Sequence, residues 1–173
     1  MFQRLSRTII YECNWFKLYG DKVIFPDCRL IENHHVFDFN NESVAVIIEN
    51  DNKEVLLIRS YRYVTDSLEW EIPAGGIEKD ESIIEAAIRE SYEETGYEIT
   101  DPQMVYTYNP SNGISNQVFN IVTAGISKQV GSFDRNEVKE IKWFSRDEIK
   151  ELIINKTLKD GYSLTALLLH FLE

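Results

Sequence analysis

Gly75-Gly76-Ile77-Glu78-Lys79-Asp80-Glu81-Ser82-Ile83-Ile84-Glu85-Ala86-Ala87-Ile88-Arg89-Glu90-Ser91-Tyr92-Glu93-Glu94-Thr95-Gly96 is the most informative stretch of the chain. Ser82 followed by Glu85 is a capping box, so a helix opens there. Gly96 is placed to close it as a left-handed cap. At 100° per residue, Ile84, Ala87, Ile88, Tyr92 and Thr95 share one side, while Glu90, Glu93 and Glu94 share roughly the opposite arc. Three carboxylates within one turn repel one another. Arg89 can pair with Glu85 or Glu93, but one guanidinium cannot neutralise the cluster, and hard divalent cations are the natural remainder. A solvated acidic face is the plainer alternative. The preceding Glu71-Ile72-Pro73-Ala74-Gly75-Gly76 weighs against it: a strand ends in Pro and two glycines, which let the backbone turn tightly and bring the Ala74 carbonyl toward a ligand.

Outward from this stretch, Ser43 to Glu49 and Glu54 to Tyr61 read as a central hairpin around Asn50-Asp51-Asn52. Val44-Ala45-Val46-Ile47-Ile48 has the unbroken aliphatic pattern of a strand buried on both faces. Before it, from Thr8 to about Phe39, the chain holds short β-like stretches (Thr8 to Tyr11, Trp15 to Tyr19, Lys22 to Phe25) broken by Asn14, Gly20-Asp21 and Pro26-Asp27. Strands are expected at Met104 to Tyr108, Val118 to Thr123 and Glu140 to Phe144. Ser145 and Glu148 form a second capping box. The helix it opens carries the stripe Ile149, Leu152, Ile153. Ser163 opens a last helix whose core face is Leu164, Leu167, Leu168 and Phe171. The pattern predicts an α/β or α+β fold, an α/β/α sandwich with a mixed central sheet and an N-terminal antiparallel sheet. The expected division is residues 1–40 for the N-terminal strands and 41–173 for the catalytic domain, in one compact unit.

The chain has 173 residues, enough for one ordinary core. With 18 Lys+Arg against 29 Asp+Glu, its net charge of -11 opposes general attraction to phosphate backbones, so nucleic acid is excluded as a partner. No apolar run approaches the ~18 residues of a membrane span, and Met1-Phe2-Gln3-Arg4 does not begin a signal peptide. A cytoplasmic protein is expected. Cys13 and Cys28 are expected as buried free thiols.

Gly75, five residues, Glu81, seven residues, Arg89-Glu90, then Glu93-Glu94, one residue and Gly96 resembles the Nudix box, with all seven fixed positions met. Departures are Ser91 and Tyr97, where the family prefers aliphatic residues. Ser91 lies on the apolar arc and bears on packing. The resemblance implies that Glu90, Glu93 and Glu94, with the Ala74 carbonyl, hold Mg²⁺ or Mn²⁺, and that Arg89 and Glu81 orient helix and loop. It also implies water attack on a nucleoside diphosphate linked to a second group, the ion absorbing phosphate charge.

Ile58-Arg59-Ser60-Tyr61-Arg62-Tyr63 followed by Glu69-Trp70-Glu71-Ile72-Pro73 is similar to the ADP-ribose and sugar-nucleotide pyrophosphatase group. Further points of similarity are Tyr108 to Ser115 and Lys159 to Leu164. Arg59 and Arg62 face opposite sides of a regular strand. Arg62 is the favoured diphosphate contact, and Arg59 a salt-bridge or second-site residue. Glu71 precedes the Pro-Ala-Gly turn as the group's acidic residue. Trp15 and Trp70 are candidate base-stacking surfaces, against core roles. The group carries a loop general base, which makes Glu137 the first candidate and Glu140 the second. Members commonly dimerise through their N-terminal strands, so a homodimer is expected, with Trp15 or Phe16 reaching the partner's site. Pro110 stands a few residues short of the proline that marks ADP-ribose enzymes. The expected activity is hydrolysis of a nucleoside diphosphate sugar, foremost ADP-ribose to AMP and ribose 5-phosphate. A triphosphate housecleaning pyrophosphatase and a non-catalytic nucleotide-sugar sensor are the alternatives.

Overall fold

The computed structural model describes residues 1–172. The chain divides into two compact units, Met1–Glu42 with Asn109–Val118, and Ser43–Tyr108 with Phe119 onward.

The first unit is an antiparallel meander of β1 (Gln3–Glu12), β2 (Phe16–Ile24) and β3 (Leu30–Phe39). Gly20-Asp21 does not break the sheet as expected; β2 runs straight through it. The reason is cross-strand: Asp21 is taken by Arg7 of β1 through two 2.7 Å bonds, so a charge sits in the sheet without an apolar partner. β3 falls within the expected β-like region up to Phe39, beyond the three stretches singled out in it. The segment 109–118 is bound to it by Phe37 N–H to the Ile114 carbonyl, 2.8 Å, and by the Asn116 side chain, which accepts from Phe39 N–H at 2.7 Å. The cysteines are free thiols, but neither is buried: Cys13 is half-buried and Cys28 exposed.

The second unit is built on a mixed sheet of β4 (Ser43–Glu49), β5 (Val55–Arg62), β6 (Ser67–Glu71), β7 (Ala74–Gly76), β8 (Tyr97–Tyr108), β9 (Phe119–Gln129) and β10 (Val138–Phe144), in the order β10-β5-β4-β9-β8. β6 pairs with β5, and β7 with β4. The expected hairpin is barely one: β4 and β5 pair only at Glu49 and Val55 and then part. β6 and β7 fill the opening, joined at Pro73, whose carbonyl accepts from Val46 N–H at 2.8 Å. This fixes the Ala74 turn against the start of β4. β4 runs parallel to β9, from Ser43 opposite Phe119 to Glu49 opposite Gly125.

Strand periodicity divides β4 between two cores. Val44, Val46 and Ile48 face α1 (Ile83–Thr95) with Ala86 and Ala87. Ala45 and Ile47 face α2 (Arg146–Ile154) and α3 (Gly161–His170) with Ile149, Ala166 and Leu167. Helices thus cover both sheet faces, the α/β/α arrangement expected. No helix among the described residues is long and apolar enough to cross a membrane.

Both capping boxes form, and Gly96 closes α1 at φ 73°. The buried face of α1 is rotated from the apolar arc. It consists of Ala86, Ala87, Ser91 and Thr95, whereas Ile88 and Tyr92 are exposed, because small side chains let the helix lie close on Val44 and Val46. α3 opens a turn earlier than expected. Asp160 is its cap and Ser163 its third residue, which leaves Leu168 exposed.

Candidate functional site

The site gathers where β7 pairs with the start of β4 and α1 lies over it. Arg89 is its organiser. Its Nε and Nη2 each donate to a different oxygen of Glu81 at 2.9 Å, and Nη2 also donates to the Gly76 carbonyl at 2.9 Å. Its Nη1 reaches Glu90 at 2.7 Å and Glu93 at 3.3 Å. Glu85, the other expected partner, is used in the capping box. These acids raise the pKa of Arg89 further, the Glu81 bond foremost.

Gly75 has a role distinct from the tight turn expected of it. It is part of strand β7, paired with Val44, and its φ is not left-handed. A Cβ there would fall on the Glu90 carboxylate. Glycine is required by close approach, since helix and strand meet through a carboxylate lying on bare Cα.

Glu94 points into the same junction and accepts from Ala74 N–H at 2.8 Å. Burial is the first cause that lifts its pKa to about 8; Glu90 and Glu137 add repulsion, and Arg62 and the Ala74 bond oppose it. Desolvation likewise raises Glu90 despite Arg89. Glu93 is over half exposed. Among the described residues no cation is ion-paired with Glu94, and no three acidic, His or Cys side chains already close around an ion. The donors nonetheless suit a hard divalent ion: carboxylate and carbonyl oxygens, one of the carboxyls buried with no ion-pair partner among the described residues.

Arg62 and Glu71 form a bidentate pair, with Nε to Oε1 at 2.8 Å and Nη2 to Oε2. Glu71 is buried, while the Arg62 side chain is half exposed and its Nη1 bonds to neither oxygen of Glu71. Arg62 is held above its usual pKa by Glu71 first, with Asp160 and Glu94 adding to it. Arg59 turns to the other side, 3.4 Å from Glu140 and 5.5 Å above the Trp70 ring. Trp70 is half-buried and meets Phe144 edge-on at 4.9 Å, a packing role. Trp15 belongs to the other unit and is 80% exposed. Glu137 is exposed on the loop before β10, which is tied to α1 by Asp134 N–H to the Glu93 carbonyl at 3.3 Å. That tie explains how an acid more than forty residues beyond the helix reaches the field of Glu94. Ser163, read from the sequence only as a helix start, accepts from Ile72 N–H just ahead of the Ala74 turn, and Asp160 in turn accepts from Ser163; the link to the site was missed, and the Asp-x-x-Ser spacing of a helix cap was the available signal.

A model described as the NUDIX domain matches residues 40–166. Fold and acidic helix together define a hydrolase of this type, and the chain belongs to the NUDIX family. It is similar to the CMP-5'-(N-acetyl-N-hydroxy-3-aminopropyl)phosphonate hydrolase of Streptomyces rubellomurinus, with 26% identity over 93% of this chain and 75% of the relative. To the ADP-ribose pyrophosphatase of Bacillus subtilis it is 24% identical, over 94% of this chain and 89% of that one. A solved ADP compounds hydrolase shares the fold with a TM-score of 0.86 at 22% identity, over 97% of this chain and 91% of the other.

Proposed function

We propose that the chain hydrolyses the diphosphate bond of a nucleoside diphosphate sugar, ADP-ribose to AMP and ribose 5-phosphate, as a cytoplasmic homodimer using Mg²⁺ or Mn²⁺. The observation that carries the reading is the buried Glu94 carboxyl beside Glu90 and the Ala74 turn, oxygen donors placed where a divalent cation would stabilise their ionised form. Ala74, Glu90, Glu93 and Glu94 would hold the ion. When bound, it supplies charge neutralisation on the phosphates and a more acidic attacking water. The chain's own residues do the rest. Arg89 and Glu81 lock helix to turn, and the free Nη1 edge of Arg62 meets a phosphate while Glu71 fixes its plane. Glu137 accepts the proton of the attacking water as the oxygen–phosphorus bond to the leaving phosphate breaks. Glu140, paired with Arg59, is the second candidate.

The test is phosphate-monoester release from ADP-ribose, ADP-glucose, UDP-glucose, ATP, 8-oxo-dGTP and a CMP-linked phosphonate, with each ion, beside Glu94→Gln. ADP-ribose turnover that falls roughly 10²- to 10³-fold in the variant is expected. Activity confined to triphosphates would overturn the assignment, and tight binding without turnover would favour a sensor. Preference for the CMP-linked phosphonate is the second reading, favoured by the 26% identity to the Streptomyces relative over 93% of this chain.

A further inference from the structure

Four consecutive residues approach the candidate ion site, and each is tied by a different partner. Glu71 is held by Arg62, the Pro73 carbonyl by Val46 N–H, and Ala74 N–H by Glu94. Ile72 is held from the opposite face of the sheet, its N–H donating at 3.0 Å to the hydroxyl of Ser163, 91 residues away in the chain and 1% exposed. The hydroxyl is itself oriented. It donates its one proton to Asp160 Oδ2 at 2.6 Å, so a lone pair faces Ile72. Asp160 is fixed as the cap of α3 by Ser163 N–H at 2.8 Å, and Tyr162 between them stacks flat on Phe119, centroids 4.1 Å apart. Pro73 has no N–H, which makes the Ile72 amide the last donor before Ala74 that can fix the strand's path.

We infer that the Asp160–Ser163 cap is a positioning device for the ion site, setting through Ile72 where the Ala74 carbonyl faces and where the Ala74 N–H meets Glu94. Neither residue is a catalytic group. The inference rests on the ion-site reading above and assigns to α3 a task beyond covering the core.

The test is Mn²⁺ uptake, read from the loss of the free-ion electron paramagnetic resonance signal, on the whole protein, Ser163→Ala, Ser163→Thr and Asp160→Asn, each with its thermal melt. Ser163→Ala is expected to weaken Mn²⁺ binding about tenfold and to lower kcat for ADP-ribose more than it raises KM, while Ser163→Thr restores affinity. Asp160→Asn, which keeps a competent cap, shifts affinity in the same direction by less and serves if Ser163→Ala does not fold. Unchanged Mn²⁺ affinity in Ser163→Ala or Asp160→Asn, with only a lower melting temperature, would overturn the inference alone. A wild-type protein that takes up no Mn²⁺ would overturn the ion-site reading and this inference with it.

Discussion

Gly75→Ala isolates the junction of helix and strand with one methyl group. The backbone at Gly75 accepts alanine, since its φ is not left-handed, but the added Cβ falls on the Glu90 carboxylate. That carboxylate is the far end of a side chain, so it moves rather than the strand. Ordinary contact requires a retreat of about 1.5 Å, which also breaks the 2.7 Å bond from Arg89. A misplacement near 1 Å at a reacting centre costs about 10²-fold, or about 2.7 kcal/mol of transition-state stabilisation. Stability should change little, because Glu90 loses one partly exposed ion pair and alanine stiffens the unfolded chain. The assay is kcat/KM on ADP-ribose in Mg²⁺ beside a thermal melt. The expected result is a ~100-fold loss with a melting temperature within about 4 °C of wild type. Activity within about threefold of wild type would refute the argument that Glu90 must lie on bare Cα. So would collapse of the fold, which would make the glycine structural.

Gly96→Ala should act in the opposite sense, because φ is 73° and a Cβ would meet the Gly131 carbonyl oxygen at 2.5 Å, which is backbone and cannot swing away. A loss of more than about 2 kcal/mol, or roughly 4–8 °C in melting temperature, is expected. Arg89→Lys keeps the charge but cannot span Glu81, Glu90 and the Gly76 carbonyl at once, so Mn²⁺ affinity should fall about tenfold with the melt nearly unchanged. Asp21 is held below the usual carboxylate range by its bond to Arg7, with Arg4 and His34 adding weaker attraction. A depressed folded pKa gives stability that is present above the unfolded value near 3.9 and lost as pH falls through the folded value. Asp21→Asn should therefore remove about 1.5–3 kcal/mol at pH 7 and flatten the acid limb below about pH 4, read by circular dichroism of urea melts.

What the sequence discloses follows the range of each interaction. The caps Ser82 and Ser145 and the Gly96 stop are settled within four residues, and all three form as read. The doubly buried β4 is equally plain, since its aliphatic run needs no knowledge of its neighbours. Gly20-Asp21 misleads because its stabilising partner, Arg7, lies on another strand. Ile88 and Tyr92 mislead because helix seating depends on the volume of Ala86 and Ala87 against the sheet, a quantity that periodicity does not carry. The acidic helix itself is legible, whereas the link from Ser163 to Ile72 spans 91 residues and no local pattern encodes it.

The parallel pairing of β4 with β9 has a consequence for how the molecule is made. The partners of β4 along this edge stand about 76 residues further on, so a large loop must close before the ladder can form. At a ribosomal rate of roughly 5–20 residues per second, Val44 to Ile48 emerge about 4–15 s before the strand they pair with. For that interval the most apolar segment of the sheet has an open edge, and it is there that chaperone capture or misassociation of the nascent chain would begin.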